Sequence, residues 1–117
     1  MSSLSVSVER KEFDGHPYTV VALVGQLADV IARRRMRRAL ESSARQGPHH
    51  LVLDLAGLES VDPAALHELV KASHTVRGLG GEIAIVGPRP EVAEIIQLAG
   101  ADQLIPLYGS AEEAVTA

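Results

Sequence analysis

Residues 51–66 read LVLDLAGLESVDPAAL, from Leu51 to Leu66. Leu51-Val52-Leu53 is an apolar run closed by Asp54-Leu55. A short run of this kind, bounded by turn residues, predicts a strand buried on both faces. Ala56-Gly57-Leu58-Glu59-Ser60 then reads as a short connection, and Val61-Asp62-Pro63 as a helix start. The Asp62 carboxylate suits the free N–H groups of a first turn and the positive end of the helix dipole. Pro63 at the first helical position gives up only an N–H that would have had no intrahelical partner. A strand thus hands the chain to a helix N-terminus at one edge of a sheet, where α/β folds bind ligands and partners.

Beyond this segment, the helix from Asp62 carries Leu66, Leu69, Val70, Ser73 and Val76 or Arg77 along one stripe, with His67, Lys71 and His74 opposite. Gly78 is expected to end it as a left-handed cap. Gly80-Gly81 turns the chain into a buried strand, Glu82 to Val86. Gly87-Pro88-Arg89-Pro90 is a rigid loop that opens a helix with Val92, Ile95, Ile96 and Ala99 on one face and Gly100 as its cap. Leu104-Ile105-Pro106-Leu107 predicts a short last strand at a sheet edge. Ser110-Ala111-Glu112-Glu113 is a capping box for a terminal helix.

On the N-terminal side, Leu4 to Glu9 alternates apolar and polar residues as a half-buried strand does. Phe13-Asp14-Gly15-His16-Pro17 is a turn, and Tyr18 to Val24 is a second strand, the two forming an antiparallel hairpin. Gly25-Gln26-Leu27-Ala28 ends that strand, and Asp29 caps the next helix. Ile31, Ala32, Met36, Ala39, Leu40 and Ser43 form its apolar face, and Gln46-Gly47-Pro48 stops it. Arg33, Arg34, Arg37 and Arg38 fall on the other face. They read as a solvated face whose aliphatic stems cover the edge of the core, with an anionic partner surface as the alternative. The order β-β-α-β-α-β-α-β-α predicts a single α/β domain over 1–117, with a small, mixed, mostly parallel sheet and about four helices.

Composition narrows the function classes. The 117 residues are 46% hydrophobic and only 3% aromatic, so the core must be built from Leu, Val, Ile and Ala. A net charge of −4 argues against a general nucleic-acid binder. The absence of cysteine excludes disulfides, thiolate metal sites and a Cys nucleophile. No apolar run is long enough to span a bilayer, and MSSLSVSVERK lacks the basic-then-apolar order of a signal peptide. The expectation is a soluble cytoplasmic protein, acting away from membranes.

Few residues offer chemistry. His49 and His50 are adjacent and point to opposite faces of a strand. His67 and His74 share a helix face, yet no carboxylate lies between them at metal-binding spacing. Gly78-Leu79-Gly80-Gly81 follows a helix and precedes a strand, the reverse of a phosphate-binding loop. Gly87-Pro88-Arg89-Pro90 has the right order, but its prolines remove the N–H donors an anion site needs. Asp54 and Asp62 could approach each other at the sheet edge and share acid–base work. No nucleophile with an adjacent base accompanies them, and the simpler roles are a turn for Asp54 and a helix cap for Asp62. The expectation is no enzyme, no metal and no cofactor.

The run from Leu51 to Leu66 resembles the signature of STAS domains, the anti-sigma factor antagonist family. The similarity continues through Gly80-Gly81-Glu82-Ile83-Ala84-Ile85-Val86-Gly87-Pro88, through Ile95-Ile96-Gln97-Leu98-Ala99-Gly100-Ala101-Asp102, and into the closing strand and helix. Gly25-Gln26-Leu27-Ala28-Asp29 takes the place of the family's Gly-Glu-Leu-Asp turn. The resemblance implies a STAS-like (SpoIIAA-like) fold with helices mainly on one face of the sheet. It also implies a partner, an anti-sigma factor that is itself a serine kinase. In the family that kinase phosphorylates the Ser after the aspartate of an Asp-Ser-Ser/Thr-Gly-Leu motif, and phosphorylation breaks the complex.

Here Asp62 and Leu66 match that motif, but Pro63 stands at the phospho-acceptor position, Ala64 at the second hydroxyl and Ala65 at the glycine. Neither proline nor alanine accepts a phosphate. Ser60 is the nearest hydroxyl, but it precedes the helix. The resemblance therefore implies a contact surface of Asp62, Pro63, Ala64, Ala65 and His67 with Asp29, lacking the phospho-switch. The Ala65 methyl is expected to crowd close docking. The alternatives are a small-ligand or lipid-sensing module, with a pocket between sheet and helices, and a scaffold in a multi-STAS assembly.

Overall fold

Strand-forming and helix-forming segments alternate as the hydrophobic pattern requires. A computed structural model describes residues 3–117; Met1 and Ser2 of the N-terminal segment lie outside the described residues. The elements are β1 (Leu4–Phe13), β2 (His16–Leu27), α1 (Val30–Gln46), β3 (His50–Val61), α2 (Pro63–Gly78), β4 (Glu82–Val86), α3 (Pro90–Leu98), a 3-10 turn (Ala101–Gln103), β5 (Leu107–Tyr108) and α4 (Ala111–Thr116). They build a five-stranded sheet in the linear order β1-β2-β3-β4-β5. The β1–β2 pair is antiparallel and the other three are parallel.

Linear order has a direct consequence. Parallel crossovers are right-handed as a rule, and successive crossovers of one hand that step in one direction place their helices on one face. α1, α2 and α3 therefore share the front face. Their apolar stripes meet Val21, Leu23, Leu51, Leu53 and Ile85 in the main core, with Met36, Leu40 and Ile96 fully buried among them. Among the described residues, α4 is the helix that packs on the back face, laying Ala114 and Val115 over Tyr18, Val52, Ala84 and Val86. Among the described residues no helix is long and apolar enough to cross a membrane.

The structure corrects several expected boundaries. Residues 56–60 are not a connection, because β3 runs on to Val61 and pairs with β2 through Leu27. Two register shifts each place an extra residue in β3, between Asp54 and Gly57 and between Leu58 and Ser60. Each bulge adds one residue to the usual two-residue repeat, so Leu55, Leu58 and Val61 are all buried at a spacing of three. Likewise β2 does not end at Val24. It passes through Gly25, at φ 107°, to Leu27.

Helix ends differ as well. Gly78 is the last residue of α2, and Gly80 carries the left-handed conformation at φ 85°. The expected strand at 104–107 is reduced to Leu107–Tyr108. Upstream the chain is still coiled, since the Ile105 N–H donates to the Ala101 carbonyl at 2.9 Å. Other ends agree with the pattern: Asp29, Asp62 and Ser110 cap their helices through side-chain oxygens, and Pro63 and Pro90 open theirs.

Candidate functional site

Parallel neighbours β2 and β3 end opposite each other, Leu27 facing Val61. The two helices that follow therefore start side by side. The Asp62 N–H donates to the Leu27 carbonyl at 3.2 Å and ties the two strand ends together. Asp29 Oδ1 accepts from the Ala32 N–H at 2.7 Å, and Asp62 Oδ1 accepts from the Ala65 N–H, also at 2.7 Å. Each carboxylate satisfies a first-turn donor that has no partner within its helix.

The second oxygen of Asp62 is also engaged. Arg33, one turn into α1, places its guanidinium 3.4 Å from Asp62 Oδ2. A turn further on, Arg37 reaches Glu68 of α2 at 3.3 Å and Glu41 of its own helix at 3.7 Å. Arg33 and Arg37, expected on a solvated face, instead line the α1–α2 seam. The parallel layout could have indicated this: adjacent crossover helices abut at their first turns, and Arg33 lies four residues after its own cap.

The predicted contact residues separate cleanly. Pro63, Ala64 and His67 are exposed on the first turns of α2, and Asp29 is exposed at the start of α1. Ala65 is fully buried in the main core. Its methyl is enclosed in the core, so it offers no surface to a docking partner. Ser60 is held in β3 opposite Gln26, outside the helix. Asp54 accepts from the Ala56 N–H at 2.9 Å and orders its own bend. Seven residues of β3 separate it from Asp62, on the order of 20–25 Å of strand. The two carboxylates do not meet.

Residues from α3 and the 3-10 turn, which sequence reasoning did not include, extend the surface. Pro63, Leu66, His67 and Val70 of α2 form one wall of a cleft of about 330 Å³, and Ala99, Ala101 and Leu104 form the other. Leu104 is 47% exposed, and Leu98 nearby in sequence is 81% exposed. Large apolar side chains left in water at the rim of a cleft mark a contact surface more readily than a catalytic one.

Asp62→Ala is expected to lower stability by about 1 kcal/mol through loss of the cap, whereas Asp62→Asn, which keeps an acceptor oxygen, is expected to lose less. Urea denaturation of the two variants beside the unmodified chain measures the difference.

Comparison with known proteins agrees with this architecture. Residues 7–114 match the STAS domain family. The chain is 32% identical over 84 residues to the RsbT co-antagonist protein RsbRA of Bacillus subtilis, covering 72% of this chain and 31% of that protein. It thus spans about a third of the length of that relative. Over 101 residues it is 27% identical to the anti-sigma F factor antagonist of Paenibacillus polymyxa, covering 83% of each. The crystal structure of an anti-sigma factor antagonist from Mycobacterium paratuberculosis superposes with a TM-score of 0.76 at 25% identity, over 96% of this chain and 92% of the other. The family match spans nearly every described element, from β1 into α4, and on these grounds the chain belongs to the STAS domain family.

Proposed function

We propose that this chain is a non-enzymatic regulatory module that binds a serine-kinase-like anti-sigma factor through the first turn of α2, without phosphorylation of that turn. Relatives named as an anti-sigma F factor antagonist and as an RsbT co-antagonist support the partner class. The observation that carries the reading is the exposed turn itself. Pro63 and Ala64 stand in solvent directly after a capping aspartate, with no hydroxyl on either.

In the family pattern a phosphate on the residue after the aspartate adds a charge of about −2 at the helix start. Pro63 cannot carry it, so the complex is set by the partner's abundance rather than by its kinase activity. Buried Leu, Val and Ile side chains cluster between the sheet and the front helices, which favours a protein partner over a small ligand held there. The clefts on the other face, about 300 and 320 Å³, flank α4 instead.

The test pairs the protein with the serine-kinase-type anti-sigma factor encoded in the same genome, with and without ATP and magnesium. The unmodified chain is expected to remain bound in ATP and to carry no phosphate by mass spectrometry. Pro63→Ser, with Ala65 left in place because it is buried, is expected to gain one phosphate and to dissociate. Stoichiometric phosphate on Ser60 of the unmodified chain, or its release by ATP, would refute the absence of a switch.

A further inference from the structure

We propose that the outer face of α1 is a docking surface for a carboxylate-rich segment of a protein partner. Five of the chain's eleven basic residues lie within residues 33–38, which read RRRMRR. The structure sorts them. Arg33 and Arg37 are paired with Asp62 and Glu68 across the α1–α2 seam. Arg35 donates to the Leu4 backbone carbonyl and, among the described residues, has no carboxylate partner. Among the described residues, Arg34 and Arg38 make neither a hydrogen bond nor an ion pair.

These uncompensated cations are grouped. Arg34, Arg35, Arg38 and Ile31 line one cleft of about 180 Å³. Ile31, expected on the apolar face of α1, is instead 55% exposed there, and Val30 is 50% exposed at the same helix start. Residues 31, 34, 35 and 38 share one helix face by their spacing, opposite the buried stripe of Ala32, Met36 and Leu40.

Charge and chemistry select the occupant. The cluster is all arginine, whose planar fork pairs with carboxylates in two-point geometry, whereas lysine would offer a point charge. An exposed isoleucine between guanidinium groups suits a segment whose acidic side chains bracket an apolar one. A membrane needs a broader apolar face beneath its basic one, and here it would find Ile31 and Val30. A nucleic acid would meet a chain that outside residues 33–38 carries fifteen acidic residues against six basic ones. The cluster faces away from the α2 seam, so it is separable from docking at Pro63.

The probe is a short fluorescein-labelled peptide with glutamates flanking leucines, and the control is the same peptide with glutamine at each glutamate. Fluorescence anisotropy with the full chain is expected to show binding of the glutamate peptide that weakens with added salt. The double variant R34E/R38E is expected to lower its affinity by about tenfold or more. The urea midpoint of R34E/R38E should stay unchanged, because neither side chain has a partner to lose among the described residues, and Pro63→Ser should bind the peptide normally. No binding by the unmodified chain, equal binding of the glutamine peptide, or indifference to R34E/R38E overturns the proposal. So does tighter capture of phosphatidylglycerol vesicles or single-stranded DNA through the same arginines. Salt-sensitive self-association abolished by R34E/R38E would make the occupant a second copy of this chain, and would likewise overturn it.

Discussion

Leu58→Ala is expected to lower the unfolding free energy by about 2–5 kcal/mol, the range for removing a fully buried leucine side chain. Leu58 has no exposed surface and belongs to the main core. It lies between the two bulges of β3, where the register with β2 shifts on either side of the Gly25–Leu58 pair. A leucine in a surface connection would cost a fraction of that amount. Leu53→Ala, in the regular part of β3 and also fully buried, supplies the reference. Urea denaturation of both should give midpoint shifts of similar size with an unchanged slope. A shift for Leu58→Ala within about 0.5 kcal/mol of zero would mean that residues 56–60 behave as a loop.

Gly25→Ala is expected to cost about 2–4 kcal/mol, from strained backbone together with a steric clash. Gly25 has φ 107°, and a Cβ there would lie 2.1 Å from the Ser3 carbonyl oxygen and 3.3 Å from its carbon. The obstacle is backbone at the start of β1, so relief requires moving the edge strand away from β2. Gly78→Ala is the matched control. Gly78 lies in α2 outside the positive-φ region, and a methyl added there would meet nothing within 4 Å. There alanine is expected to be neutral or stabilising by up to about 1 kcal/mol. Thermal or urea melts of the pair separate the effect of site from that of residue type.

The contrast between these positions shows what the residues reveal unaided. Caps are legible because their chemistry is local: Asp29, Asp62 and Ser110 each announce a helix start within four residues, and each accepts the expected N–H. The order of elements is legible because periods of two and near four differ over a few residues. The far half of β3 is hidden by its bulges, which space Leu55, Leu58 and Val61 by three, a pattern that belongs to neither period. The Arg33–Asp62 pair is hidden because it joins residues 29 positions apart and depends on which helices lie side by side. The burial of Ala65 is obscured for a related reason. The motif assigns it a place beside Pro63 and Ala64, but the turn of the helix carries its methyl into the core. The α2–α3 cleft needs coordinates, since Leu104 sits on a coil where the apolar run predicts a strand.

The hydrogen bond from the Asp62 N–H to the Leu27 carbonyl has a mechanical consequence. β4 pairs with β3 only as far as Asp54 and β1 with β2 only as far as Gly25, so at their last residues β2 and β3 pair only with each other, and both helix starts follow directly. A partner that grips one start therefore pulls on the other, and the two cannot be displaced independently without breaking that bond.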